Sequence, residues 1–197
     1  MHGFQLWANL PRDQKMCTPR YQDIKAPDIN SLTDDDGTHI RVIAGDYRGY
    51  RGPVDGIDTD PAYLDVSMMP NVTKRFPFDT RRQGFAYIFE GSANFGNASA
   101  PFGVNVEKEF AGEELKIRDQ SGNLTLVVFG AGDEVEVTAG EFGVRFLLIS
   151  GAPLREPVAW HGPIVMNSRE ELQTAFRELN SGDFVKTGAE GWVGTPR

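Results

Sequence analysis

Metal-centred chemistry needs three or four imidazole or carboxylate ligands converging on one point with a coordination position left open. The chain has three histidines, His2, His39 and His161. They are scattered, and none has a second histidine two residues away, the spacing that sets two ligands on one face of a strand. Packing or hydrogen bonding is the expected role of each. Nucleophilic chemistry is no better served. Cys17 has no neighbouring histidine to activate it, and Lys15 and Arg20 would push it only modestly toward thiolate. No Gly-x-Ser-x-Gly elbow occurs. Arg75, Arg81 and Arg82 lie close together, and guanidinium forks so grouped would suit an anion clamp. A solvated loop is the plainer expectation for them. The run from Gly45 to Pro53 is glycine-rich with two arginines, yet it lacks the Gly-Lys-Ser/Thr ending of a phosphate loop. Turns at a rim explain it better. Asp34-Asp35-Asp36-Gly37 fails the calcium-loop spacing, because the first ligand position would fall on Leu32. It reads as a turn.

The elements that must position these residues are mostly strands. Phe4 to Leu10 alternates apolar with small or polar residues and predicts a strand ended by Pro11. From Pro11 to Gly37 the chain is polar, which predicts a linker or wrapping arm. Short strand-like runs then recur at Ile40–Ile43, Tyr63–Met68, Phe85–Phe89, Leu124–Phe129, Glu134–Thr138 and Val144–Ile149. Glycine and proline punctuate them, which predicts an all-β sandwich or barrel. Gly91 to Gly122 is polar and predicts an excursion from the sheet. The tail is different. Ser168-Arg169-Glu170-Glu171 is a capping box, and Leu172, Ala175, Phe176 and Leu179 share one face of the helix it opens. Asn180-Ser181-Gly182 supplies the stop, so a helix is predicted over 169–179.

The chain is long enough, at 197 residues, to bury a real core. Its formal net charge of −8 argues against nucleic acid or an anionic membrane as a direct partner, since both reward basic surfaces. A single cysteine allows no internal disulfide. Met1-His2-Gly3-Phe4 lacks the regions of a signal peptide, and no apolar run approaches a membrane span. A cytoplasmic location, or a nuclear one in a eukaryote, is expected.

Two spacings connect these elements to a known frame. Gly132 to Gly143 follows the second cupin motif, G-x5-P-x-G-x2-H, with Thr138 in the proline slot and Gly143 in the slot of the metal-binding histidine. The first cupin motif, H-x-H-x3-4-E-x6-G, anchors on Gly91 and puts Gly84 in the glutamate slot. The histidine slots then fall between Pro77 and Thr80, where no histidine occurs. Longer segments resemble the pirin family of two-barrel cupins. They are His2 to Pro11, Pro19-Arg20-Tyr21-Gln22, Ile43-Ala44-Gly45 with Gly52-Pro53-Val54, and Ile149 to Val158 continuing through His161 to Asn167.

The resemblance implies an all-β cupin (jelly-roll) barrel with a short carboxy-terminal helix. Residues 1–11 would be the last strand of an amino-terminal barrel, 12–38 a linker, 39–158 a barrel without metal ligands, and 159–197 a tail. In the family, one iron sits in the amino-terminal barrel, held by three histidines and a glutamate that precede the first segment. No residue here matches such a ligand, so no iron or other cofactor is expected on this chain. Tyr63, Tyr87 and Phe89 are expected inside the barrel, with Asp65 and Arg145 as candidate polar members that, facing inward, would pair or orient a small polar ligand. Outward-facing surface charges are the plainer expectation for Asp65 and Arg145, since a one-residue shift flips the face. A non-catalytic binding or regulatory module is the expected function, with protein partners or self-association through the strand 4–10. The alternative is part of an iron-dependent, quercetin 2,3-dioxygenase-like enzyme, joined to the metal-bearing barrel.

Overall fold

The computed structural model describes residues 3–54, 56–57, 59–96 and 122–186. It has eleven strands and one α-helix among them: β1 (Asn30–Thr33), β2 (His39–Ala44), β3 (Asp46–Tyr47), β4 (Tyr50–Arg51), β5 (Ala62–Met68), β6 (Thr73–Pro77), β7 (Gln83–Phe95), β8 (Thr125–Val128), β9 (Glu134–Gly151), β10 (Ala159–His161), β11 (Ile164–Met166) and α1 (Arg169–Ser181). The main sheet is antiparallel, in the order β1-β2-β5-β9-β7-β8, with β6 also paired to β9. Among the described residues this ladder does not close on itself. The all-β expectation with a short terminal helix is met. No helix among the described residues is long and apolar enough to cross a membrane.

Two long strands make the architecture. The first half of β9 pairs with β6 and with the end of β7, while its second half pairs with β5 and the start of β7. The expectation of two strands, 134–138 and 144–149, is corrected to one strand running through both. Its bend is built from glycine. Gly91 and Gly143 lie side by side with φ of 75° and 80°, at register shifts that bulge β7. A Cβ on Gly91 would strike the Gly143 carbonyl oxygen. Bulges of this kind turn a flat sheet into one that curls over its own face.

The curled sheet encloses one core. Ile40, Val42, Leu64, Val66, Ile88 and Leu148 alternate along the strands and meet Phe76, Phe95, Val135 and Val137 from the other half. Phe146 sits between the halves, edge-on to Phe76 and Phe95 at 5.9 and 5.6 Å. β6 was not anticipated, because Thr73-Lys74-Arg75-Phe76-Pro77 reads as charged. Only Lys74 and Phe76 point inward, and that suffices. β1 falls inside the expected linker 12–38. It is an edge strand, needing only Leu32 to pack against the core.

The expected strand at 4–10 is not formed: residues 3–11 make no sheet pairing. An extended apolar segment becomes a strand only beside a partner ladder. Here Phe4 lies on the sheet instead, 4.8 Å from Phe89 and 5.9 Å from Tyr87 between ring centres.

The tail helix forms as its residues dictate. Ser168 Oγ accepts from Glu171 N, and Glu171 Oε2 accepts from Ser168 N, the reciprocal cap. Gly182 ends it at φ 84°. Two residues longer than predicted, the helix docks Ala175, Leu172 and Phe176 on Ile164 and Met166 of the β10–β11 hairpin, with Met16 from the arm. Leu179 stays exposed.

Candidate functional site

Tyr63, Asp65, Tyr87, Phe89 and Arg145 come together on the face opposite the core, which corrects the inward expectation for the three aromatics. Leu64, Val66 and Met68 of β5 point into the core. Tyr63 and Asp65 therefore point outward, since successive side chains alternate. The same parity puts Tyr87, Phe89 and Arg145 beside them. Phe89, Leu147 and Ile149 are buried there, with Tyr63, Phe85 and Tyr87 packed around them. Outward is not exposed in this case, because the rings and residue Phe4 shield one another.

Asp65 is 7% exposed, and an isolated carboxylate so placed would be very costly. Arg145 answers it with a two-pronged contact, Nε to Oδ1 at 2.9 Å and Nη2 to Oδ2 at 2.7 Å. Donating these hydrogen bonds to Asp65 raises the Arg145 pKa further. Its guanidinium also lies 5.1 Å from the centre of the Phe89 ring. Burial, and then the Asp65 carboxylate, push the Tyr63 phenol up, which keeps it a neutral donor.

Beside this pair opens a cleft of about 570 Å³. Arg41, Ser67 and Glu90 contribute polar groups, while Met69, Pro70 and Phe142 contribute the apolar side. Arg41, on β2, is directly across from Asp65 on β5. Its Nη1 is 3.8 Å from Asp65 Oδ2. Sequence reading missed Arg41, since an arginine inside a strand gains meaning only once the register is known.

The metal question turns on Gly84 and Gly143. Gly84 pairs with Ser150, whereas Gly143 lies beside Gly91 at the bend. From Ser150 back to Gly143 is on the order of 20 Å of strand. Neither position is a vacated hole. A Cβ on Gly84 would strike the Phe78 ring, with the Ile149 carbonyl oxygen at 2.7 Å. A Cβ on Gly143 would meet the Met68 carbonyl oxygen at 2.7 Å. His39 bonds Thr33 Oγ1 through Nδ1 at 3.0 Å, and His161 packs edge-on to Phe176 at 5.5 Å. His2 lies outside the described residues. Among those residues no three His, Cys, Asp or Glu side chains gather in a way that could hold a metal ion. The described residues do not fit an iron site.

Gly143→His, which restores the motif's ligand type, should therefore strain the bend instead of creating a site. We expect a loss of about 1–3 kcal/mol from overpacking and the positive φ, seen as a lower melting temperature, with no gain in bound iron.

The other candidates resolve into structure. Arg75 pairs with Glu136 at 2.7 Å, Arg81 with Asp79 at 2.8 Å, and Arg82 with Asp60. Three arginines on three separate carboxylates form no clamp. The Gly45–Pro53 run is the β3–β4 hairpin, closed by Gly52 N donating to Gly45 O at 2.8 Å.

Comparison with known proteins agrees with this architecture. Pirin-1 of Arabidopsis thaliana is 36% identical over 194 residues, covering 96% of this chain and 59% of that protein. A pirin-like protein of Caulobacter vibrioides is 34% identical, covering 93% of this chain and 59% of its own length. The chain thus spans less than two thirds of either relative. Among solved structures, a quercetin 2,3-dioxygenase from Acinetobacter baumannii superposes with a TM-score of 0.74 at 26% identity, over 90% of this chain and 55% of that one. Residues 63–185, from the strand that carries Asp65 to the end of the helical tail, match the pirin C-terminal cupin domain, and the chain belongs to the pirin family.

Proposed function

We propose that this chain works as a metal-free binding and regulatory module, meeting protein partners through its outer aromatic face. The observation that supports this reading is the state of the two motif glycines. Gly84 and Gly143 sit far apart on the β7–β9 ladder, each packed against backbone or ring. What the outer face offers instead is contact area. Phe142, 88% exposed, lines the cleft with Asp65 and Arg145, and Trp7, three residues beyond Phe4, is 71% exposed. Large exposed rings near a buried aromatic patch are features of a docking surface. Residues 4–10, which pair with no strand, are the segment through which a second copy or another protein would bind.

Two measurements test the proposal. After anaerobic incubation with ferrous iron and desalting, the chain should retain far less than one iron per molecule. Stoichiometric retention would overturn the metal-free reading. In light scattering, the apparent mass should rise with concentration, and Trp7→Ser should suppress the rise. A clean monomer at every concentration would remove self-association.

A second reading is favoured by the Acinetobacter likeness. That relative is named a quercetin 2,3-dioxygenase and is longer than this chain. In a longer protein the same face would carry the wall against which an iron-bearing barrel sits, and this chain would contribute packing and no ligands.

A further inference from the structure

We infer that the cleft beside Asp65 binds a small organic monocarboxylate with an apolar or aromatic body, and that Arg41 holds its carboxylate. The inference deepens the binding-module reading by naming a ligand class on the same face. It does not depend on the iron result.

Register brings the charges together. Arg41 faces Asp65 across β2–β5, and Ser67 faces Arg145 across β5–β9. One carboxylate thus lies between two guanidiniums on three adjacent strands. Asp65 gives its two oxygens to Arg145 in directed hydrogen bonds. Arg41 is left with a contact at 3.8 Å, too long for a hydrogen bond. Among the described residues no acceptor satisfies its N–H groups. Yet its side chain is only 31% exposed. A guanidinium that has lost much of its water and gained no acceptor favours an incoming carboxylate, which can take two parallel N–H bonds.

The rest of the cleft narrows the class. Met69, Pro70 and Phe142 form its apolar side, and Met69 and Phe142 are mostly exposed until something covers them. That wall suits an apolar body. Glu90 stands in the same cleft and repels a second negative charge. With Asp65 neutralised by Arg145, the balance of Arg41 against Glu90 accepts a monoanion and disfavours phosphate or a dicarboxylate. The volume of about 570 Å³ falls in the range of small-molecule sites. The chain's net charge of −8 means that general electrostatic attraction would not draw anions here. Saturable binding would therefore report the cleft itself.

Benzoate is the probe, with benzamide as its neutral counterpart and inorganic phosphate as the anion control. In an amide NMR titration of the whole chain, benzoate should shift Arg41, Ser67, Gly91 and Gly143 saturably at millimolar concentration. Benzamide and phosphate should each bind about tenfold more weakly or worse. Arg41→Gln should weaken benzoate about tenfold, and Arg41→Lys should fall between it and the parent. Both variants should keep the parent's spectrum elsewhere, which separates lost binding from lost folding. The inference is overturned if benzoate gives no saturable shifts at the cleft, if Arg41→Gln binds it unchanged, or if benzamide or phosphate binds as tightly. None of these outcomes bears on how much iron the chain retains.

Discussion

Phe146→Ala should cost the fold about 3–5 kcal/mol, the range for emptying a fully buried aromatic site. Phe146 has no exposed surface and stands in the second half of β9. Its ring meets Phe76 of β6 at 88° and Phe95 at the end of β7 at 79°, both edge-on. Those two rings belong to the part of the sheet that curls over at Gly91 and Gly143. Phe146 is thus the contact through which the two halves share a core. Edge-on aromatic pairs add about 0.5–1.5 kcal/mol beyond their burial, so two are lost at once. Domains are stable by only about 5–15 kcal/mol, which makes this a large share of the whole. Phe146→Leu, which keeps most of the volume, should cost less than about half as much. Urea unfolding followed by near-ultraviolet circular dichroism measures both. A Phe146→Ala protein within about 1 kcal/mol of the parent would mean that the halves are held together by something other than this aromatic contact.

How much of this was legible in the sequence depended on how local the governing physics was. The capping box at Ser168 and Glu171 involves four consecutive residues, and it was read correctly together with the Gly182 stop. Most core strands were legible because alternation is also local. Alternation gives parity, however, and not which parity faces the core. Tyr63, Tyr87 and Phe89, expected on the inner face, lie on the outer one beside Asp65 and Arg145. β9 was divided in two because Gly140 and Gly143 look like turn residues, whereas Gly143 serves a bend inside a continuous strand. The motif slots failed for a related reason. Spacing along one chain does not say where Gly84 and Gly143 fall on a curled ladder, and only the pairing separates them. The strand expected at 4–10 had the right pattern but no ladder to join. The Asp65–Arg145 pair was foreseeable from the cost of burying either alone. Arg41 was not, because its importance lies in lacking what Arg145 has.

Lys74→Met should destabilise the chain by about 2–4 kcal/mol and change how it responds to acid. Lys74 points inward from β6 beside Phe76, and its side chain is 7% exposed. Its Nζ lies 2.6 Å from Asp34 Oδ2 and 2.8 Å from Asp36 Oδ2, in the turn between β1 and β2. Asp34 Oδ2 receives no well-directed hydrogen bond, so that contact is ionic in character. The lysine thereby ties a hairpin at the sheet's edge to a strand that otherwise pairs only with β9. Breaking a buried pair costs about 3–5 kcal/mol. Here the figure is smaller because Asp36 keeps solvent contact and Asp34 retains Arg48 at 3.0 Å. Burial pushes Asp36 up, but the Lys74 ammonium and the Thr38 N–H outweigh it and hold the carboxyl at about 2, below its ordinary 3.8. Its contribution is therefore complete above about pH 4 and lost as the pH falls through about 2. For Lys74, burial lowers the pKa, and the adjacent carboxylates of Asp34 and Asp36 outweigh it and raise it past 10.5. That contribution is complete below pH 10.5 and lost as the pH rises through the raised value. Melting temperature against pH should thus be flat between these limits and fall on the acid side. In Lys74→Met the plateau should be lower and the acid fall shallower, since Asp36 no longer has an ammonium to lose. Adding Asp34→Asn and Asp36→Asn should restore about half the deficit or more, because no unpaired buried charge remains. If the triple variant is no more stable than Lys74→Met, the cost lay in packing around the lysine stem and not in its charge.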